Sequence, residues 1–415
     1  MSFSYVTIAS ILHDRIARSS IVSSFAGALS GIGGTRIEDD AVAAPPAGTP
    51  LCYFILTGGT EQEALALRSV RERSVPGEPV WLIAHPLQNS LPASLEILAR
   101  VKRDGGDGRI FFLTDAKDTA TLADLESTLS DAAAMRALAG ARLGRVGDSS
   151  DWLVASSHSA DAVRGSWGVE VVPVPIDTLH RYIAAEGIPE DGEEFQFFKD
   201  AEAIREPTPA DVGTSVGVYR ALKRLVREEK LDALTLRCFD LVLDEKTTGC
   251  FALSRLNDEG VIAGCEGDIP AALALLWVKR LTGLTGWMAN PARLDAAAGR
   301  LLLAHCTVPR SIVKKYTVRS HFESSLGVGI SGEFARGPVT LVRLGGEKLE
   351  RLWVTEGAIT ATSSADGLCR TQIECTVPSE AIESMLRDPL GNHVVVVQGH
   401  HEERLRGAFS MVKRA

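Results

Sequence analysis

The chain has 415 residues, 45% of them hydrophobic and 23% charged, the balance of a globular protein with core enough for two or three domains. The formal net charge is -9 and no Lys/Arg run exceeds a short cluster, which argues against a nucleic-acid partner and an anionic membrane surface. No apolar run reaches the roughly 18–20 residues that span a bilayer. Met1–Ser10 carries no basic leader with a cleavage pattern, and the seven cysteines are scattered without a CxxC pair. A disulfide framework or structural zinc site is therefore not expected, and the expected location is the cytoplasm.

In chain order, Val6–Ser10 reads as a short strand and His13 to Leu29 as a helix. Leu51–Leu56 (LCYFIL) is short and apolar on both faces, the pattern of a strand buried in a parallel sheet. It stops at Thr57-Gly58-Gly59-Thr60, where a helix opens at Glu61. Strands at Val80–Ala84, Arg109–Leu113, Leu143–Val146 and Val169–Val174 alternate with helices at Pro92–Lys102 and near Ala120–Ala141. Repeated β-α units imply a parallel sheet covered on both faces.

Ile188–Pro209 turns polar, acidic and Pro-containing, and marks the main boundary. A second α/β region follows, with a helix at Asp211–Glu229, a strand at Ala233–Arg237, and a helix at Cys250–Asn257. The strand Val261–Cys265, the helix Pro270–Leu281 and a closing strand Leu301–His305 complete it. Beyond Pro309, short strands are expected at Tyr316–Phe322, Val339–Leu344, Leu352–Thr355, Gly357–Ala361 and Arg370–Val377. A helix at Ser379–Arg387 precedes a last strand, His393–Gln398. The expected domains are 1–190, 205–309 and a β-rich 310–415.

The chemistry concentrates at Cys265-Glu266-Gly267-Asp268, at the carboxyl end of a buried strand, where ligands collect in open parallel sheets. Two carboxylates on alternate residues can bind a divalent cation or divide acid and base roles. Asp268 is equally well placed to N-cap the helix starting at Pro270, which leaves Glu266 as the first candidate. His305, His321 and His393 lie in or at the ends of strands beside small or polar residues, and imidazole with carboxylate suits a first-row metal. His400 and His401 sit in a charged tail and read as solvated. The Thr57–Thr60 loop could hold an anion on its backbone amides, but it lacks the GxGxxG and P-loop patterns, so no nucleotide cofactor is expected. Asn89, before the helix that contains Pro92, is either a cap or a ligand group. There is no GxSxG elbow, and Cys265 and Cys306 are expected to be inert.

The segments Cys250–Leu275 (CFALSRLNDEGVIAGCEGDIPAALAL), Trp287–Asp295 (WMANPARLD), His305–Pro309 (HCTVP), Asn89–Glu96 (NSLPASLE) and Ser320–Gly332 (SHFESSLGVGISG) together resemble L-fucose isomerase-like proteins. The resemblance to this family of L-fucose and L-arabinose isomerases runs from the second strand to His393. It implies an α/β fold: two Rossmann-like domains followed by a C-terminal β-rich, barrel-like domain. It also implies a homo-oligomer with its pocket between subunits, a carbohydrate substrate, and aldose–ketose isomerisation dependent on Mn²⁺ or another divalent metal. In such enzymes carboxylates move a proton through an enediol on the metal-held sugar.

Carried over, Glu266 is metal ligand and base, Asp268 a second catalytic carboxylate, and His393 the C-terminal metal ligand. Asn290 stands where the family places a second acidic ligand and is expected as a metal ligand with Glu266 and His393, a weaker one than a carboxylate, with Asp268 or Glu323 as the alternative. Asn89, Arg237, His305, Arg319, His321 and Glu323 are the expected substrate-binding residues. Two other readings stay open on the same fold. Asn290 with Arg237, Arg319, Lys314 and Lys315 would suit a lyase or transferase cleaving a C–C bond in an anionic ketose or sugar acid. A sugar-binding protein that has lost catalysis is the third.

Overall fold

The computed structural model describes residues 2–10, 15–46 and 48–412. The chain divides into two compact units, 1–137 and 138–415. No described helix is long and apolar enough to cross a membrane.

The first unit contains β1 (Phe3–Ile8), α1 (Arg15–Gly31), β2 (Gly34–Ile37), β3 (Leu51–Ile55), α2 (Glu61–Ser74), β4 (Val80–Ala84), α3 (Ser90–Arg103) and β5 (Gly108–Phe112). The helix α4 (Thr119–Leu138) ends where the second unit begins in sequence. Its five strands form a parallel sheet in the order β2-β1-β3-β4-β5. Every residue of β3 and β4 is buried, as their unbroken apolar runs require for strands covered on both faces. Ala93, Ile97 and Val101, each four residues apart on α3, close the core over Tyr53, Ile55 and Leu82. Residues 13 and 14, the expected start of the first helix, lie outside the described residues.

The second unit opens with β6 (Arg142–Val146), α5 (Ala160–Trp167), β7 (Glu170–Val174), α6 (Ile176–Glu186), α7 (Phe195–Lys199) and α8 (Pro209–Glu229). It continues through β8 (Ala233–Leu236), α9 (Cys238–Asp244), α10 (Cys250–Asp258), β9 (Ile262–Cys265) and α11 (Ile269–Thr282). The four strands form a second parallel sheet in the order β7-β6-β8-β9. The strands expected at Leu143–Val146 and Val169–Val174 thus join the sheet of β8, β6 pairing with β8 and β7 with β6, rather than the first sheet. Local pattern specifies a buried parallel strand but not the sheet it joins. The polar stretch before α8 is capping chemistry: Thr208 accepts from the Asp211 amide, Asp211 accepts in return, and Pro209 fills the first turn.

The remainder comprises β10 (Trp287–Asp295), β11 (Arg300–His305), β12 (Lys315–Arg319), β13 (Gly329–Glu333), β14 (Gly337–Gly345), β15 (Arg351–Thr362), β16 (Thr371–Thr376), α12 (Ser379–Arg387), β17 (Val394–Gln398) and α13 (Glu402–Ser410). Six strands close an antiparallel barrel, β10-β11-β16-β15-β14-β17, and β12 pairs with β13 as a separate hairpin. The strand expected to close the second α/β layer, Leu301–His305, is a barrel strand between β10 and β16. The two strands expected on either side of Glu356 are one, β15, with an irregularity between Ile359 and Ala361. Gly357 does not turn the chain there. It permits close approach, since a Cβ would lie 2.1 Å from the Thr376 carbonyl oxygen.

Helix α11 joins the two layers of this unit. It is apolar all round, buried from Ile269 to Val278, and packs on β8 and β9 as well as β10, β14 and β17. Its amino end therefore meets both the carboxyl edge of the parallel sheet and the mouth of the barrel.

Candidate active site

At that junction β9 ends and the chain must enter α11 within three residues. Glu266 and Gly267 both take the left-handed conformation, with φ of 62° and 71°. A Cβ at Gly267 would lie 2.5 Å from the Asp148 carbonyl oxygen, so glycine is required there. Glu266 pays the side-chain penalty of that conformation, of order 1 kcal/mol, and is held in it from both sides. The Ser150 amide donates to its carbonyl at 2.9 Å, and the Gly267 amide donates to Leu236 O at 3.1 Å. Backbone strain of this kind at a polar residue is a mark of a functional position.

The Glu266 carboxylate accepts from Trp152 Nε1 at 2.7 Å. Its other oxygen lies 3.4 Å from His393 Nε2 and 4.0 Å from His305 Nε2. One donor atom from each of Glu266, His305 and His393 falls within 4.8 Å of the others. His393 Nε2 is buried and has no hydrogen-bond partner. A buried polar atom left unpaired in this way is costly unless something further binds it. A divalent cation fits that requirement, and two imidazoles with a carboxylate are a donor set that first-row divalent ions accept.

Behind this cluster, Asp268 is fully buried and every contact it makes is to protein. It caps α11 by accepting from the Ala271 amide at 2.7 Å, accepts from His393 Nδ1 at 2.9 Å, and pairs with Arg343 Nη1 at 3.0 Å. Arg343, on β14, is itself fixed by Ser156 Oγ and by the Leu390 carbonyl at 3.2 Å. An ionised Asp268 makes Nδ1 of His393 the donor, which directs Nε2 at Glu266. His305, the last residue of β11, is oriented by Thr307 Oγ1, 3.0 Å from its Nδ1.

The electrostatics follow from this packing. Burial drives His305 down to about 4, helped by the charge on His393. Burial also opposes charge on His393, but Asp268 and Glu266 outweigh it and raise the imidazole to about 9. Burial would raise Glu266, yet His393, His305 and the Trp152 hydrogen bond together bring it to about 2. Asp268 is held well below the usual carboxylate range, burial being overcome by Arg343 and His393.

A pH dependence follows. In EDTA-treated protein, His393 contributes stability that is fully present below its unfolded-state value of about 6.5 and is lost as pH rises through about 9. His305 runs the other way: its contribution is present above about 6.5 and is lost as pH falls toward about 4. Urea midpoints should therefore peak near neutrality, and His393→Gln should flatten the alkaline limb. An unchanged alkaline limb in that variant would contradict the pairing.

A cavity of about 300 Å³ opens onto the cluster, walled by Trp152, Phe239, Val242 and Thr248 together with Glu266, Asn290, His305, His321 and Glu323. Five of the expected site residues thus meet on one surface, and His393 stands directly behind Glu266. Others do not join them. Asp268 lies outside the cavity lining. Arg237 is held by Asp151, Asp240 and the Ser149 carbonyl, and Arg319 by both oxygens of Glu206. Lys315 bridges Glu202 and Glu333. Asn89 is in the first unit, at the amino end of α3 in a left-handed conformation and without a side-chain capping bond.

Sequence reading passed over Trp152 and Arg343. The signal for Arg343 was present, as a single arginine in the apolar strand VTLVRLG. Trp152 followed a strand end in a polar loop, where an exposed aromatic carries little pattern.

The fold and site define a class: an α/β protein with two parallel sheets whose antiparallel barrel supplies both histidines of a buried Glu–His–His cluster. No family model matches the chain. It is similar to the sulfoquinovose isomerase of Clostridium sp. (strain MSTE9), with 26% identity over 220 residues, 50% of this chain and 49% of that protein. It is also similar to the sulfoquinovose isomerase of Alkalicoccus urumqiensis, with 28% identity over 131 residues, 30% of each chain. A third, from Priestia aryabhattai, shares 26% over 87 residues, 20% of each. The chain spans about half the length, or less, of the relatives it matches.

Proposed function

We propose that the chain is a sugar aldose–ketose isomerase that uses a divalent cation, Mn²⁺ by the resemblance to L-fucose isomerase-like proteins, held by Glu266, His305 and His393. The observation that carries this reading is the orphaned, buried Nε2 of His393 beside Glu266 and His305 at the wall of a cavity large enough for a monosaccharide. The similarity to sulfoquinovose isomerases supports it.

A bound cation would supply Lewis acidity to neighbouring sugar oxygens and so acidify the adjacent C–H. Glu266, kept ionised by its surroundings, takes the proton, and Trp152 fixes the carboxylate that receives it. Glu323, the other carboxylate on the cavity wall, is the partner that returns a proton to the neighbouring carbon or oxygen. Asn290 and His321 bind sugar hydroxyls. Asp268 and Arg343 position His393 rather than meet substrate. The reading extends to a cytoplasmic homo-oligomer, as the resemblance implies.

A C–C lyase for anionic sugars finds less support, because no Lys or Arg is among the described residues lining this cavity. The test is metal analysis of protein purified without chelator, followed by an aldose screen that includes L-fucose, L-arabinose and sulfoquinovose. Bound metal and EDTA-sensitive aldose–ketose interconversion are expected. A product with fewer carbons would replace this reading with the lyase, and sugar-induced stabilisation without turnover would replace it with a binding protein.

A further inference from the structure

The chain has seven cysteines, widely spaced in sequence. Five of them, Cys238, Cys250, Cys265, Cys306 and Cys369, line the cavity just described. That convergence has no part in the proposed proton transfer. Cys306 meets Cys250 and Cys369, and Cys238 and Cys265 form a separate pair. Cys238 is the first residue of α9, just beyond β8, and Cys265 is the last residue of β9. The two strands are parallel neighbours with Leu236 opposite Cys265. The two sulfurs lie 3.0 Å apart, and both thiols are free. That is about 1 Å beyond the length of a disulfide bond. Both side chains are shielded from bulk water but form part of the cavity wall, so a small oxidant entering the cavity meets them together.

We propose that Cys238 and Cys265 are an oxidisable pair that a hydroperoxide closes into a disulfide, displacing Glu266. Contact with Cys238 and burial keep the Cys265 thiol protonated, so the first attack falls to the Cys238 sulfur. It gives up its proton and attacks the hydroperoxide, the O–O bond breaks, and the alcohol (or water, from hydrogen peroxide) departs, leaving a sulfenic acid. The second sulfur then attacks the first, forming S–S as the S–O bond breaks and water leaves. Two thiols and one hydroperoxide thus give one disulfide, one alcohol and one water. The two sulfurs together lose two electrons, and the thiol protons end in the products.

Closing the bond draws the end of β9 toward the start of α9. The next residue is Glu266, already in a left-handed conformation and held by the Ser150 amide on its carbonyl, by Trp152 and by its ion pairs with His393 and His305. There is little slack to absorb the movement, so the carboxylate leaves its place beside His305 and His393. The effect on turnover rests on the isomerase reading. The cross-link and the displacement do not.

The test treats the full chain with hydrogen peroxide or tert-butyl hydroperoxide, then maps thiols and disulfides by mass spectrometry. Trp152 emission is followed as the difference between wild type and Trp152→Phe. The expected result is a Cys238–Cys265 cross-link, two of the seven thiols lost, a change in Trp152 emission, and reversal of all three by dithiothreitol. Cys265→Ser should abolish the emission change, and Cys375→Ser, at a residue that does not line the cavity, should leave it intact. Cross-links or higher oxidation confined to other cysteines would overturn the proposal, as would a Cys238–Cys265 bond with Trp152 emission unmoved. A protein that shows the cross-link and the emission change yet converts no sugar would retain this inference and lose the isomerase.

Discussion

On the proposed isomerase reading, Glu266→Gln should reduce aldose–ketose interconversion by roughly 10²–10⁴-fold in kcat, the range typical of removing a positioned general base. The amide is nearly isosteric, so its oxygen can still accept from Trp152 Nε1, and the backbone turn between β9 and α11 is unaffected. What disappears is the negative charge beside His393 and His305. Two consequences follow from that one loss. No group remains at this position to take a proton, and the cluster keeps two imidazoles without the carboxylate that offsets a cation's charge. Steady-state kinetics should thus be read with Mn²⁺ titrations of the same variant: kcat should collapse and metal affinity weaken together, and the urea midpoint of metal-free protein should fall, since His393 loses one of the two carboxylates that hold its charge. Activity within tenfold of wild type would remove Glu266 from the mechanism.

The largest structural effect is expected at Arg343. Its guanidinium and the Asp268 carboxylate are both buried, on β14 and at the start of α11. Removing one member of a buried ion pair leaves the other charged in a place that water cannot reach, at a cost of about 3–5 kcal/mol. Arg343→Met should therefore lower the unfolding free energy by that amount, a shift in Tm of roughly 10 °C in a domain of this size. The double variant Arg343→Met/Asp268→Asn removes the stranded charge and should recover a large part of the loss. If the single variant unfolds within about 1 kcal/mol of wild type, the pair does not hold the barrel to the sheet. The double variant should also flatten the alkaline limb, because Asp268 heads the groups that raise His393, whereas the single variant keeps Asp268 and should retain that limb.

What the sequence disclosed, and what it withheld, divides along physical lines. Runs such as LCYFIL and VWLIA were readable because burial on both faces leaves an unbroken apolar string. The carboxyl end of β9 was readable as a site because strand, turn and N-cap follow one another within a few residues. Sheet membership was not, since β6 carries the same local pattern whichever sheet it joins. Nor were the partners of Arg237 and Arg319. A guanidinium suited to an anionic sugar and one neutralised by Glu206, 113 residues away, look alike in one dimension. Asp268 was legible as a cap, but its pairing with Arg343 and His393 spans 75 and 125 residues. Strand-end context singled out His393 along with His305 and His321, and only the family resemblance gave it a metal-ligand role. Five cysteines scattered over the chain gave no sign that they share one wall.

The order of strands in the barrel has a consequence for how the protein comes into being. The strand that completes the circle, β17, is the last in the chain, and it slots between β10 and β14. His393 immediately precedes it. During synthesis the parallel sheet, Glu266 and His305 are all made before the residue that must sit among them. The cluster can exist only after a long-range closure of the type that makes β-rich topologies slow to fold. A growing or misassembled chain is accordingly blind to whatever the finished cavity holds, and any ligand there rewards only molecules that have completed their last strand. Recovery of metal affinity during refolding would then time the end of folding itself, later than the return of helical signal from the α/β layers.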